Sequence, residues 1–432
     1  VIDIRLLREQ PDLVRRALST RGMPDEQLAQ LDRIVELDAQ ARATAGKRDD
    51  ARKALKEISA QVARSKKAGE QAEDLVQRAR ELGEEVASLE ERVRELEGEL
   101  TAALLVLPNL PAPDCPVGSS EQDNVVVKRR PEELPQYEGH QRIPHWEIGK
   151  ELGILDLERG AKISGSMFPL YRGAGARLVR ALSAFALDRH QGVYEEVRPP
   201  TLVKTDTMIS TGHLPKFADE AYHLERDDLW AIPTAEVPLT SLFKDEIIPE
   251  EDLPARFTAT TSCYRREAGA AGRDTRGLLR VHEFDKVELF AYVTEEQAAS
   301  ELNSMVARAS SLIEELGLCY RVLDLCTGDI GAAARRTFDL EVYAPGCDQW
   351  LEVSSVSWDG DYQARRASIR YRPRDGGKAR LVHTLNGSAL AWPRIWAAIV
   401  ETNRMPDGSV AIPEVLWPYM GGLRVIEGRS KR

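Results

Sequence analysis

Apolar positions over the first hundred residues recur in alternating steps of four and three. Leu75, Ala79, Leu82, Val86, Leu89, Val93, Leu96 and Leu100 form one series. Ile34, Leu37, Ala41, Thr44, Arg48, Ala51, Leu55, Ile58 and Val62 form an earlier one with the same rhythm. Such a seam keeps one stripe turned toward a partner helix, so each series predicts a long amphipathic helix. The intervening 64–71 is polar and broken by Gly69, and neither series contains proline. The pattern predicts two equal arms folded back as an antiparallel coiled-coil hairpin. Roughly 30 residues per arm at about 1.5 Å each give ~45 Å, longer than a small domain is wide, so the hairpin is expected to project.

The texture then changes. Pro108, Pro111, Pro113 and Pro116 interrupt any helix. This predicts a helical domain at 1–107, a proline-rich linker at 108–120 and a larger domain at 121–432. In the larger domain 193–203, 256–265, 281–293 and 367–371 read as strands, and 174–190 and 295–316 carry helical periodicity. Long strands with interspersed helices, and no simple βαβ alternation, predict an α+β fold on a mainly antiparallel sheet.

Composition narrows the class. Among 432 residues 42% are hydrophobic and 30% charged, enough apolar material for a sizeable core. No apolar run approaches the roughly 18 residues that cross a bilayer. Val1–Arg8 already carries Asp3, Arg5 and Arg8, unlike a signal peptide, so the chain is expected to be soluble and cytoplasmic. The five cysteines form no C-x-x-C pair and indicate neither a zinc ribbon nor a disulfide framework.

The net charge of −11 argues against a general nucleic-acid binder, but it hides a local contrast. Residues 42–67 hold nine Lys/Arg against three Asp/Glu, and 70–99 hold four against eleven. The bland reading pairs these charges across the hairpin. The functional reading makes Arg48, Arg52, Lys53, Lys56, Arg64, Lys66 and Lys67 a basic edge for phosphates. Aromatics are absent from the arms, so any nucleic acid would be read by backbone and shape.

The densest chemistry lies between Cys263 and Glu288. A strand is expected to deliver Arg265 and Glu267 to one face, a turn with Gly269, Gly272 and Gly277 to follow, and a second strand to return Arg280, His282, Phe284 and Glu288. Five arginines between 265 and 280 suit a polyphosphate, because guanidinium groups supply forked donors and glycines let the backbone approach. Thr234 with Glu236, and Glu352 with Ser355, pair hydroxyls with carboxylates; such oxygens suit Mg²⁺ beside phosphates. His282-Glu283 opens like a zinc-protease motif, but Lys286 stands where the second histidine belongs. The seven histidines form no ligand-spaced pair.

With these residues together the chain resembles the bacterial-type seryl-tRNA synthetases, which are class II aminoacyl-tRNA synthetases. The likeness rests on 211–217 (Thr-Gly-His-Leu-Pro-Lys-Phe), 232–240, 267–277, 363–366 and 413–421, in order along nearly the whole chain. The resemblance implies a serine--tRNA ligase with ATP as substrate, Mg²⁺ as cofactor, a tRNA(Ser) partner held by the hairpin, and a homodimer. It implies that Arg265 bridges the serine carboxylate and the α-phosphate. Glu267 would hold the adenine edge and Phe284 would stack on the ring, Val281 would also bind ATP, Arg280 and Arg394 would grip the outer phosphates, and Glu352 and Ser355 would bind the metal. Thr234, Glu236, Glu288 and Ser388 would form the serine pocket.

The chain departs from the family pattern at Arg266, Glu283, Val356, Trp358, Trp392, Pro393 and Trp396. Two readings fit: neutral drift, or a divergent second copy adapted to tolerate a serine-adenylate-like inhibitor or to supply a biosynthetic pathway. Two other function classes remain: an activating enzyme that loads a carrier other than tRNA, and a binding module without chemistry.

Overall fold

The computed structural model describes residues 1–69, 71–269 and 275–428. It divides into two compact units, Val1–Pro108 and Asn109–Arg432.

In the first unit the heptad series form two long helices, Gln30–Ala68 and Glu73–Leu105, preceded by shorter helices Ile4–Glu9 and Pro11–Thr20. The seam is driest at the base, where Leu37, Ala41 and Leu96 are buried against one another and Leu100 packs beside them. Toward the tip Leu55, Ile58 and Val62 are only half-buried. The reversal is shorter than expected: the first helix runs to Ala68, with Lys66 and Lys67 in its last turn, and Gly69 ends it at φ +76°, a left-handed conformation suited to glycine.

The second unit is built on one eight-stranded sheet whose strands we number β1–β8: Val125–Arg130, Glu195–Glu196, Ala255–Tyr264, Glu283–Val293, Tyr320–Asp324, Arg336–Ala344, Gln349–Gly360 and His383–Ala391. Their spatial order is β1-β5-β6-β7-β8-β4-β3-β2. All neighbours are antiparallel except β2 and β3. The α+β class and the mainly antiparallel sheet expected from the sequence are what the chain forms.

Period-two alternation along β4 feeds two cores. Leu289, Ala291 and Val293 join the larger one, with helices Ala174–His190, Glu295–Glu315 and Trp392–Thr402. Phe290 and Tyr292 face the other way, into a second cluster with Phe257, Ala259 and Ala364. Continuing the even-numbered face toward the start of β4 gives Glu288, Lys286 and Phe284, which places polar groups where the core gives way to a pocket.

Three local expectations are corrected. The predicted strand 193–203 is broken into Glu195–Glu196 and Leu202–Lys204, because Pro199 and Pro200 between them have no amide to donate to a ladder. The predicted strand 367–371 begins as the last residue of helix Tyr362–Ala367 and becomes a strand at Arg370–Arg372. The segment 109–115 of the expected linker is seated on the second unit. There the Asn109 amide donates to the carbonyls of Ala333 and Asp359 at 2.7 Å each, and Ala112 and Cys115 pack with Leu323 and Leu325.

Candidate active site

One pocket is lined by Arg265, Glu267, Leu278, Leu279, Arg280, Val281, Phe284, Lys286, Glu352, Val353, Ser388, Pro393 and Arg394. Eight residues singled out from the sequence meet there although they span 265 to 394 in the chain. The sheet makes this possible, since β4 and β8 are neighbours and Glu288 stands opposite Ser388. On β7 and β6, Ser355 stands opposite Asp339 and Glu352 opposite Glu341.

Arg265 and Glu267 reach the pocket differently from the expectation. β3 ends at Tyr264, so both lie in the loop beyond the strand, and Glu267 takes φ +50°. The close of the β3–β4 hairpin holds them: Arg265 N–H donates to the His282 carbonyl at 2.9 Å. A left-handed conformation at a non-glycine residue is a strained one, found where surroundings over-determine the backbone. Gly272 of the intervening turn lies outside the described residues.

The groups of the pocket bond to one another. The Arg265 guanidinium sits 5.2 Å over the Phe284 ring. Arg280 and Glu267 form an ion pair. Arg394, in the helix Trp392–Thr402, donates from Nε and Nη2 to the Leu279 carbonyl at 3.2 and 3.1 Å and from Nη1 to the Glu352 carbonyl at 2.8 Å. Arg394 is thereby held in place by backbone carbonyls before any ligand arrives.

Behind this lies a buried polar knot. Lys286 Nζ donates to Thr234 Oγ1 at 2.7 Å and pairs with Glu288 Oε2 at 2.5 Å, and Thr234 donates to the same Glu288 oxygen at 2.9 Å. Thr234, Lys286, Glu288 and Ser388 are all buried. Gln363 holds Glu236 Oε1 at 2.7 Å and is itself fixed by Thr384. Burial, with Glu288 nearby, pushes the Glu236 carboxyl up to about 7, against the pull of Lys286, the Gln363 hydrogen bond and Arg265. Burial and then the charge of Arg265 bring His213 down to about 4, so it stays neutral beside these cations.

Lys286 is a site residue that sequence reasoning missed. Its signal was the two-residue period of Phe284, Lys286 and Glu288 along one strand face. Asp359 was missed as well. It is buried, accepts from the Asn386 amide at 2.9 Å, and its carboxyl is raised well above the usual range by burial and then by Glu236.

On the neighbouring strands β7 and β6, Ser355 and Asp339 hydrogen-bond, and burial followed by Glu352 raises the Asp339 carboxyl well above the usual range. Asp339 Oδ1 is buried without a hydrogen-bond partner. A hard, oxygen-seeking cation fits this donor set of Glu352, Ser355 and an orphaned carboxylate oxygen.

On the hairpin, among the described residues, one ion pair crosses between the arms, Arg52 with Glu90 at 2.7 Å. Arg48 pairs with its neighbour Asp49, while Lys53, Lys56, Arg64, Lys66 and Lys67 are exposed.

The sheet-rich second unit carries the core of a class II aminoacyl-tRNA synthetase. The family model described as "tRNA synthetase class II core domain (G, H, P, S and T)" matches residues 220–403, and "Seryl-tRNA synthetase N-terminal domain" matches residues 1–111. The serine--tRNA ligase of Gemmatimonas aurantiaca is 50% identical over 422 residues, 97% of this chain and 98% of that protein. That of Thermomicrobium roseum is 48% identical, covering 98% and 94%. A crystal structure of seryl-tRNA synthetase from Pyrococcus horikoshii complexed with ATP matches with a TM-score of 0.90 at 35% identity, over 100% of both chains. The chain belongs to the seryl-tRNA synthetase family, whose members are ATP-dependent serine--tRNA ligases.

Proposed function

We propose that the pocket activates serine on ATP and passes it to tRNA(Ser), with the residue roles that follow. The observation that carries this reading is a single pocket lined by three arginines at its nucleotide end and backed by the Thr234–Lys286–Glu288 knot.

A serine carboxylate is ionised at neutral pH, so its attack on the α-phosphorus needs no general base. It needs alignment and relief of charge repulsion. Arg265 bridges carboxylate and α-phosphate, while Arg280 and Arg394 take the outer phosphates. Glu267 turns from Arg280 to the adenine edge, and Phe284 and Val281 flank the ring. The new bond joins the carboxylate oxygen to phosphorus, and the phosphorus–pyrophosphate bond breaks. The terminal ribose hydroxyl of tRNA then attacks the acyl carbon, and AMP leaves.

Glu352 and Ser355 would hold Mg²⁺, with the orphaned oxygen of Asp339 beside them. When bound, the ion supplies neutralisation of phosphate charge. Glu236 receives the serine ammonium, and Glu288 with Ser388 receives its hydroxyl. Alanine would forgo the hydrogen bonds that the serine hydroxyl makes with Glu288 and Ser388, which gives selectivity.

The basic face of the first hairpin arm, from Arg48 to Lys67, would lie along the long variable arm of the tRNA, and two copies would form the working dimer. Among the described residues no helix is long and apolar enough to cross a membrane, in keeping with work in the cytoplasm.

Thr234→Val tests the pocket. It removes the donor to Glu288 and the acceptor for Lys286, so serine kcat/KM in pyrophosphate exchange should fall by about 10- to 100-fold with ATP KM unchanged, since hydrogen bonds to charged groups are worth ~1.5–3 kcal/mol. Unchanged serine dependence would remove Thr234 from the pocket.

A further inference from the structure

Outside the pocket, His145, Cys347 and Glu401 bring one ligand atom each within 4.8 Å of one another, a set with metal-ligand chemistry. Their hydrogen bonds assign them a different role. His145 Nε2 accepts from the backbone N–H of Leu278 at 2.9 Å. An amide N–H can only donate, so Nε2 carries no proton, and the proton of the neutral ring is on Nδ1. From there it points at Glu401 Oε1, 2.7 Å away. Nδ1 therefore has no lone pair for a metal. Glu401 is already filled by the amides of His145 at 2.9 Å and Gly346 at 2.8 Å and by the Cys347 thiol at 3.2 Å. His145 and Glu401 are both fully buried.

What this node joins is specific. Glu401 sits in the helix Trp392–Thr402, on which Arg394 stands. Gly346 and Cys347 make the turn between β6 and β7, the strand that bears Glu352. Leu278 precedes Leu279, whose carbonyl takes two hydrogen bonds from Arg394, and Arg280. The run 278–280 is thus fastened to that helix twice, by Leu279 through Arg394 and by Leu278 through His145 and Glu401. Gly277 makes the close approach possible: at φ +59°, a Cβ there would stand 2.3 Å from His145 Nε2.

We propose that His145 is a positioning residue for nucleotide binding, its Nε2 holding the Leu278 amide so that Arg280 and Arg394 face the phosphates together. The proposal rests on the reading of those two arginines as phosphate ligands. None of the node's hydrogen bonds reaches Thr234, Glu236, Glu288 or Ser388, so its effect is expected on ATP and not on serine.

Two substitutions separate positioning from plain support of the fold. His145→Asn keeps a side-chain N–H where Nδ1 donates to Glu401 and leaves nothing for the Leu278 amide. His145→Gln reaches further and offers its carbonyl oxygen to that amide. In serine-dependent pyrophosphate exchange with the full-length protein, His145→Asn should raise ATP KM about tenfold, equivalent to ~1.4 kcal/mol, with serine KM unchanged. His145→Gln should bring ATP KM back toward the wild-type value, with both melting temperatures measured alongside.

ATP and serine KM rising together, an ATP KM that follows melting temperature in both variants, or no change in the Asn variant would overturn the proposal. Arg280→Ala and Arg394→Ala report on the parent reading. If they raise ATP KM and His145→Asn does not, positioning alone fails; if they leave it unchanged, the phosphate assignment fails. Should the Asn variant not fold, imidazole ¹⁵N spectra of the wild-type protein decide. A neutral, Nδ1-protonated His145 is expected, and an Nε2-protonated ring would contradict the lock.

Discussion

Glu236 and Lys286 set the electrostatics of the pocket proposed for serine. Glu236 titrates near 7 in the ligand-free protein, raised from an ordinary 4.5. Its contribution to stability is therefore fully present below about 4.5 and is lost as pH rises through about 7. Serine runs the other way. Its ammonium selects the ionised carboxylate, so serine binding should release a proton and tighten as pH climbs through about 7. Calorimetry in buffers of different ionisation enthalpy measures that proton; none released near neutrality would place the ammonium elsewhere. Lys286 pulls Glu236 down and neutralises Glu288. Lys286→Met should then shift the pH dependence of serine KM upward and cost about 3–5 kcal/mol of stability, because a buried carboxylate loses its counter-ion. A pH profile identical to wild type would show that Lys286 only packs. Lys286 and Asp359 escaped the sequence because each looks ordinary alone. Their meaning comes from Thr234, Glu288, Asn386 and Glu236, which the sheet brings to them.

Elements differ in how openly the sequence declares them. The hairpin was legible because its signal is local and repeated, one apolar position every three or four residues across two arms. The tip was less so, since Gly69 marked a reversal without showing that helix persists through Lys66 and Lys67. The short strand pair around Pro199 and Pro200 was misread because propensity spoke for strand where the missing amides forbade a continuous ladder. The hairpin also carries its own prediction. Replacing Lys53, Lys56, Arg64, Lys66 and Lys67 by alanine should weaken aminoacylation at low tRNA. The slope of log affinity against log salt should flatten by about 0.7–0.9 for every phosphate that is no longer neutralised. Pyrophosphate exchange, which needs no tRNA, should be unchanged. Equal charging by the variant would return the basic face to a solvating role. In the seam, Leu96→Ala should cost roughly 2–5 kcal/mol in chemical denaturation of the first unit, because that leucine is almost wholly buried.

At the scale of the whole molecule, the residues proposed for the chemistry were visible as types and motifs, while the node proposed to position them was not. His145 and Leu278 are 133 residues apart, and no periodicity links a histidine to a backbone amide at that distance. Such pairings are made by the sheet order, which places β7, β8 and β4 side by side and gathers loops from distant segments at one pocket. Binding should feed back on the fold. Mg-ATP with serine at 100 times its dissociation constant stabilises by about 2.7 kcal/mol, so the melting temperature should rise with both ligands and less with either alone. No shift would mean that the described pocket does not close on its substrates.

None of the departures at Val356, Trp358 and Trp392 is among the residues that line that pocket, which is therefore expected to keep its specificity for one amino acid. The most direct test is ATP–pyrophosphate exchange measured separately with each of the twenty amino acids, without tRNA. Exchange with serine alone is expected from the Thr234–Glu236–Glu288 arrangement. Exchange with a different amino acid, or none with serine, would contradict the pocket as assigned.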